Sequence, residues 1–140
     1  MVNSRFTVAL HVLCLLANQQ GKPLTSDYIA ASVNTNAVVI RRLLAVLRKA
    51  DLVKSQPGAT GGWELVPKPR DITLGQVYQL IRPGMVFALH SKQPNPRCPV
   101  GKHIQRGLFG HYRRAQAAME AELERATIAE VLHDVLANAT

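Results

Sequence analysis

Two arginines stand side by side at Arg41 and Arg42, shortly after Asn34, Thr35 and Asn36. A guanidinium pairs with guanine edges or phosphates, a carboxamide pairs with adenine, and an apolar side chain such as Val38 or Val39 can meet a thymine methyl group. Each good bidentate contact adds roughly 1–3 kcal/mol of discrimination. Further along, Lys54, Gln56 and the run Gly58-Ala59-Thr60-Gly61 offer a cation, an amide and backbone N–H groups suited to phosphate or the minor groove. Arg5 is another phosphate candidate, and Ser26 adds a hydroxyl to the same set. Two thiols, Cys14 and Cys98, could carry redox chemistry. No Ser/His/Asp set or paired-carboxylate site stands out, and the glycine run lacks the Gly-Lys-Ser/Thr ending of a P-loop. The chain is expected to bind rather than to catalyse, so it is not read as an enzyme.

The elements that must position these groups follow from periodicity. Ser4 can cap a first helix that ends near Asn18, before Gly21 and Pro23. This helix is apolar from Phe6 onward except for one narrow stripe, Thr7, His11, Cys14 and Asn18, so it should be buried on most of its circumference. Thr25 or Ser26 caps a short second helix, Asp27 to about Ser32. Val33-Asn34-Thr35 makes a turn, and a third helix runs from Asn36 to Ala50 with Val39 or Ile40, Leu43, Leu44 and Leu47 inward. Two short strands, Leu52 to Gln56 and Trp63 to Val66, enclose a loop whose glycines supply positive φ values. Thr73 and Gln76 form a capping box for a fourth helix that stops at Pro83.

Residues 83–101 hold four prolines and two glycines and read as a connector. From Lys102 to about Ala126 a long helix carries Ile104, Leu108, Tyr112, Ala115, Met119 and Leu123 on one face, with Gly107 and Gly110 weakening its start. Thr127 and Glu130 suggest a second capping box and a last short helix bearing Val131, Leu132, Val135 and Leu136. The expected fold is mainly α with a small β-hairpin: a winged helix-turn-helix over residues 1–82, the connector over 83–101, and a long C-terminal helix with a short one after it over 102–140. There is no internal repeat and no low-complexity tract.

Charge supports a polyanionic partner. The formal net charge is +8 with neutral histidines. It is spread unevenly: nine basic against three acidic residues over 1–70, seven against one over 71–114, and one against five over 115–140. Such an excess favours DNA, RNA or a membrane surface, although an inert basic surface carries the same total. The longest apolar run, Val8 to Ala17, is interrupted by His11 and too short to span a bilayer, and no cleavage pattern follows it. Two cysteines make no disulfide framework. A cytoplasmic protein with no membrane partner is expected.

Val38-Val39-Ile40-Arg41-Arg42-Leu43-Leu44, Ala50-Asp51-Leu52-Val53 and Gly58-Ala59-Thr60-Gly61-Gly62-Trp63-Glu64-Leu65 resemble one family of bacterial transcription regulators. It is the family typified by the iron–sulfur cluster regulator IscR and the nitric-oxide sensor NsrR. Asp51 stands where that family usually has glycine. The resemblance covers nearly the whole chain, including Asp71-Ile72-Thr73-Leu74 and the long helix. It implies a homodimer joined through that helix, with Ile104, Leu108, Tyr112, Ala115, Met119 and Leu123 at the interface. It further implies binding to near-palindromic operator DNA, usually as a repressor.

Many members of that family hold an iron–sulfur cluster on three cysteines before the long helix. Here the matching segment, Pro94 to Gly101, has Cys98 alone. Cluster ligation normally demands several thiolates, so the chain resembles the branch that lacks a cluster, and no cofactor or metal is expected. Cys98 is then an ordinary loop thiol, a thiol sensor favoured by Arg97, Lys102 and a helix start, or a metal ligand with His90, His103 or His111. The histidine spacing matches no standard zinc pattern. Cys14 is a small core residue, or a second redox group on account of its stripe.

Overall fold

The first helix is the one around which the others are laid. In the computed structural model, which describes residues 4–81 and 84–139, α1 spans Arg5–Asn18 and buries Ala9, Val12, Leu13, Cys14, Leu16 and Ala17. Thr7, His11 and Asn18 of the polar stripe face outward, while Cys14 does not. Ser4 occupies the N-cap position, but its side chain makes no capping bond there, so only the place of the helix start was legible.

The next two helices are α2 (Ser26–Val33) and α3 (Ala37–Lys49). Thr25, not Ser26, caps α2: its hydroxyl accepts the Tyr28 N–H at 3.1 Å. Of the two alternatives on α3, Ile40 points inward and Val39 is 40% exposed. Asp51 takes the left-handed conformation with φ 60°. That conformation accounts for glycine being usual in the resembling family, and aspartate is among the residues that tolerate it.

The hairpin pairs β1 (Val53–Gln56) with β2 (Gly62–Leu65), antiparallel, with Val53 opposite Leu65 and Lys54 opposite Glu64. A lone two-stranded hairpin is marginal in water. This one is tied down by Leu24, which exchanges two backbone hydrogen bonds with Trp63, Leu24 N–H to O at 3.0 Å and Trp63 N–H to O at 2.8 Å. Gly58 (φ 103°) and Gly62 (φ 152°) meet the expectation of positive φ. Gly61 is needed for a different reason: a Cβ there would collide with the Gln56 carbonyl.

A 3-10 turn at Pro69–Asp71 leads into α4 (Leu74–Ile81). Thr73 accepts the Gln76 N–H at 3.0 Å, the forward half of the expected capping box, and donates its hydroxyl proton to Glu124 at 3.1 Å. Pro83, read as the stop of α4, lies outside the described residues. The long helix α5 covers Pro99–Glu124, beginning three residues before Lys102, so the connector ends at Cys98. Proline is well suited to a first helical position because its missing N–H has no intrahelical partner there. Gly107 and Gly110 lie inside α5 without interrupting it.

Gln116 fastens the connector to α5. Its Nε2 donates to the Tyr78 hydroxyl at 2.8 Å, its Oε1 accepts the Val86 N–H at 3.2 Å, and Phe87 stacks on Tyr112 at 5.0 Å. The last helix, α6 (Ile128–Ala137), is capped by Thr127, which accepts the Glu130 N–H at 3.2 Å. It returns to pack on α1, and Ile128 joins the same buried cluster as Leu13, Ile29, Leu44, Leu47, Ile72 and Val77.

Gly62 should be intolerant of even one added carbon, because its φ is positive and a Cβ would sit 2.6 Å from the Leu24 carbonyl oxygen. Gly62→Ala is expected to destabilise the fold by roughly 1–3 kcal/mol, the usual cost of a strained backbone position. A urea titration followed by circular dichroism measures it; an unchanged midpoint would show that the bridge to Leu24 does not anchor the hairpin.

Candidate nucleic-acid interface

α2 and α3 are joined by a turn that the sequence specifies locally. Asn34 is left-handed (φ 67°, ψ 52°), a conformation asparagine accepts more readily than most residues, and its N–H bonds the Ala30 carbonyl at 2.9 Å. Asn36 then caps α3, its Oδ1 accepting the Val39 N–H at 3.0 Å. The two helices are bent by 110°, within the roughly 90–120° of helix-turn-helix units.

With Ile40, Leu43, Leu44 and Leu47 buried, the opposite face of α3 carries Val38, Arg42, Ala45 and Lys49. Arg41 and Arg48 flank that face on one side and Val39 and Val46 on the other. Val38 is 49% exposed, and Arg41 and Arg42 are exposed. Among the described residues no carboxylate lies within ion-pair distance of Arg41, Arg42, Arg48, Lys49 or Lys54. Their charge is therefore available to a polyanion.

The other sequence-selected residues divide. Asn34 is exposed at the turn and Thr35 half-buried beside it. Asn36 has committed its carbonyl oxygen to the cap, so a two-bond contact with adenine, which needs both ends of the amide, would cost α3 its cap. Ser26 is a half-buried first residue of α2. Lys54, Gln56, Gly58, Ala59 and Thr60 are exposed and Gly61 half-buried. Gln56 turns across the hairpin, its Nε2 donating to Glu64 at 3.3 Å. Arg5 is exposed at the start of α1. Tyr28, absent from the sequence-selected residues, is 53% exposed on the first turn of α2. Its place three residues after the cap was the available signal.

The two thiols occupy different surroundings. Cys14 is buried, and burial raises its pKa above the ordinary thiol value because an ionised sulfur would lose its hydration. With Thr7, His11 and Asn18 it lines a groove of about 510 Å³ between α1 and α6, where His11 Nε2 lies 3.0 Å from the Ser32 hydroxyl. Cys98 is exposed and caps α5, its Sγ accepting the Gly101 N–H at 3.4 Å. Among the described residues no group of three or more His, Cys, Asp or Glu gathers closely enough to hold a metal ion. A lone thiol at the head of α5 is not the donor set an iron–sulfur cluster requires. Cys98, His90, His103 and His111 are not brought together as a metal site.

Of the residues expected at a dimer interface, Leu108, Tyr112, Met119 and Leu123 are half-buried, while Ile104 and Ala115 are exposed. None of the 26 residues of α5 is buried. No single helix among the described residues is long and apolar enough to cross a membrane.

Comparison with known proteins matches this architecture. The family model described as "Rrf2: Iron-dependent Transcriptional regulator" matches residues 2–134. The chain is 42% identical over 134 residues to a protein of Bacillus subtilis (strain 168) named as the HTH-type transcriptional regulator YwnA, covering 95% of this chain and 98% of that one. Among solved structures, T. potens IscR superposes with a TM-score of 0.72 at 26% identity, over 96% of this chain and 88% of that one. CymR, described as the global cysteine regulator of B. subtilis, shares the fold with a TM-score of 0.71 at 24% identity, over 95% and 96% of the two chains. These relatives are regulators of transcription rather than enzymes, and their winged-helix fold is the one found here. The chain belongs to the Rrf2 family of transcriptional regulators.

Proposed function

We propose that the protein is a homodimeric repressor that grips a near-palindromic operator with α3 and the hairpin of each protomer, and that Cys98 tunes this binding by oxidation. The observation that carries the DNA-binding reading is the outer face of α3. Val38, Arg41 and Arg42 are displayed there by a capped helix, with no carboxylate among the described residues to neutralise them. The major groove admits one helix and gives each base pair its own donor and acceptor pattern, so a helix of this kind reads sequence. Lys54 and the amides of Gly58 to Thr60 lie on a hairpin held to the start of α2 through Leu24, which suits a grip on the flanking phosphate or minor groove; the Gly61 N–H is spent on the Gly58 carbonyl at 3.0 Å.

Dimerisation is supported by what α5 leaves uncovered. The helix is about 39 Å long at 1.5 Å per residue and buries no side chain within its own chain. Val100, Ile104 and Phe109 are exposed on it, and Met85, Val86, Phe87 and Leu89 are exposed on the connector fastened alongside. Isolated apolar side chains on a surface are ordinary; Val100 and Ile104, one turn apart on the same face of α5, are the pair that suits a partner helix. A two-fold dimer would set two recognition helices about one turn of DNA apart, roughly 34–36 Å, or a multiple of that spacing.

Three measurements test this reading. On duplexes selected from genomic fragments by the wild-type protein, Arg41→Ala is expected to weaken binding in a gel-shift assay by roughly tenfold or more. Affinity should also fall steeply and log-linearly with salt. Undiminished binding by Arg41→Ala would remove α3 from the groove. Leu108→Glu should convert the dimer to monomers in size-exclusion chromatography with light scattering; a retained dimer would put the interface elsewhere.

For the thiols, maleimide labelling of the native protein should modify Cys98 at least about tenfold faster than Cys14, whose burial withholds both access and thiolate. After mild peroxide the wild type should lose operator binding and Cys98→Ser should keep it, serine being able to preserve the cap. Loss of binding in both proteins would clear Cys98 of a switching role.

A further inference from the structure

The start of α1 and the outer face of α3 are separated by a concavity of about 410 Å³. Its lining comes from three places in the chain: Ser4, Arg5 and Val8 at the head of α1, Thr35 in the turn, and Val39, Arg42 and Leu43 on α3. Two guanidinium-bearing residues and two hydroxyl-bearing residues line it, and among the described residues no carboxylate does. The Ser4 hydroxyl makes no capping bond to α1. Val8, Val39 and Leu43 supply apolar walls, and a charge attraction beside such walls is less screened than in open water. The hollow is continuous with the face of α3 on which Val38 and Arg42 sit one turn apart.

We propose that this concavity is the seat of a single DNA backbone phosphate held jointly by Arg5 and Arg42, with Ser4 and Thr35 as hydroxyl donors. The assignment rests on the DNA-binding reading above and divides the labour of the two neighbouring arginines. Arg42 sets the register of α3 along the duplex without reading a base. Arg41, on the opposite flank of the helix and outside the seat, is left to the base edges. Guanidinium groups suit this task because their fixed fork of donors matches the oxygens of a phosphate. A phosphate gripped from two helices at once also fixes α1 against α3 when DNA is bound, so the contact positions the whole unit. The diester linkage of a duplex is the occupant because the hollow opens beside the helix that enters the groove.

The test uses the full chain and a duplex enriched by the wild-type protein from a random-sequence pool. Arg5→Ala and Arg42→Ala should each weaken binding roughly tenfold, and by the same factor on every base-substituted version of that duplex. Because the two share one phosphate, the double variant should reduce the slope of log affinity against log salt by about 0.9 per protomer bound, not by twice that. Arg42→Lys, which keeps the charge, should retain the wild-type slope. A scan of neutral methylphosphonate linkages should find one position per half-site at which neither Arg5→Ala nor Arg42→Ala binds worse than the wild type.

The seat is overturned if Arg42→Ala relaxes the preference at one base pair while Arg5→Ala does not. It is also overturned if the two arginines respond to different linkages, or if the double variant loses two phosphates' worth of slope. A wild-type protein that enriches no sequence from the pool overturns the DNA-binding reading itself, and the seat with it. That failure is distinct because it precedes any variant.

Discussion

Everything in this fold depends on burying α1. A helix that is apolar on nearly all sides cannot rest on a surface; it has to be surrounded, and its neighbours take their places accordingly. α2, α4, α6 and β2 all pack against it, and Ala9, Val12, Leu13 and Leu16 belong to the buried core cluster. The exposed basic face of α3 is a by-product of this arrangement. Once α2 and α3 have spent their apolar faces on the core, the arginines of α3 have only the outside left.

Backbone geometry does the rest of the aiming. Asn34 and Asp51 both adopt left-handed conformations, one before α3 and one after it, so the helix is turned sharply at each end. Asn36 satisfies the first N–H groups of α3 with its side chain, which makes it a builder of the helix as much as a possessor of hydrogen-bonding groups. Gly62 then brings the hairpin against Leu24 at a separation no side chain would allow. The hairpin and α3 are thereby held in one frame, which a pair of strands joined only to each other could not achieve.

The C-terminal third behaves differently. α5 leans on α4 through Glu124, Gln116 and Tyr78, yet buries none of its own residues, and α6 turns back so that Ile128 completes the core under α1. The acidic surplus of the tail thus lies within one structure alongside the basic first half. The family's description speaks of iron, but the segment ahead of α5 carries one thiol whose sulfur already accepts a backbone N–H. A cluster normally demands several thiolates, and this segment offers one.

Much of this was legible in the residues alone, for a physical reason: helix periodicity, caps and turns are local properties. The spacing of Ile40, Leu43, Leu44 and Leu47, the threonines at 25, 73 and 127, and the glycine-rich hairpin each declare themselves within a few positions. What remained hidden were choices that involve distant partners. Ser4 looks like a cap, but its hydroxyl makes no such bond. Gln56 looks free, but Glu64 engages it. The stripe through Cys14 looks uniformly polar, yet Cys14 alone of its members is buried. The meeting of Arg5 and Arg42 around one hollow joins residues far apart in the chain. Sequence determined which elements form and what chemistry they carry; only the tertiary structure decided which side chains share a space, because that is settled by packing around α1 rather than by any residue's neighbours in the chain.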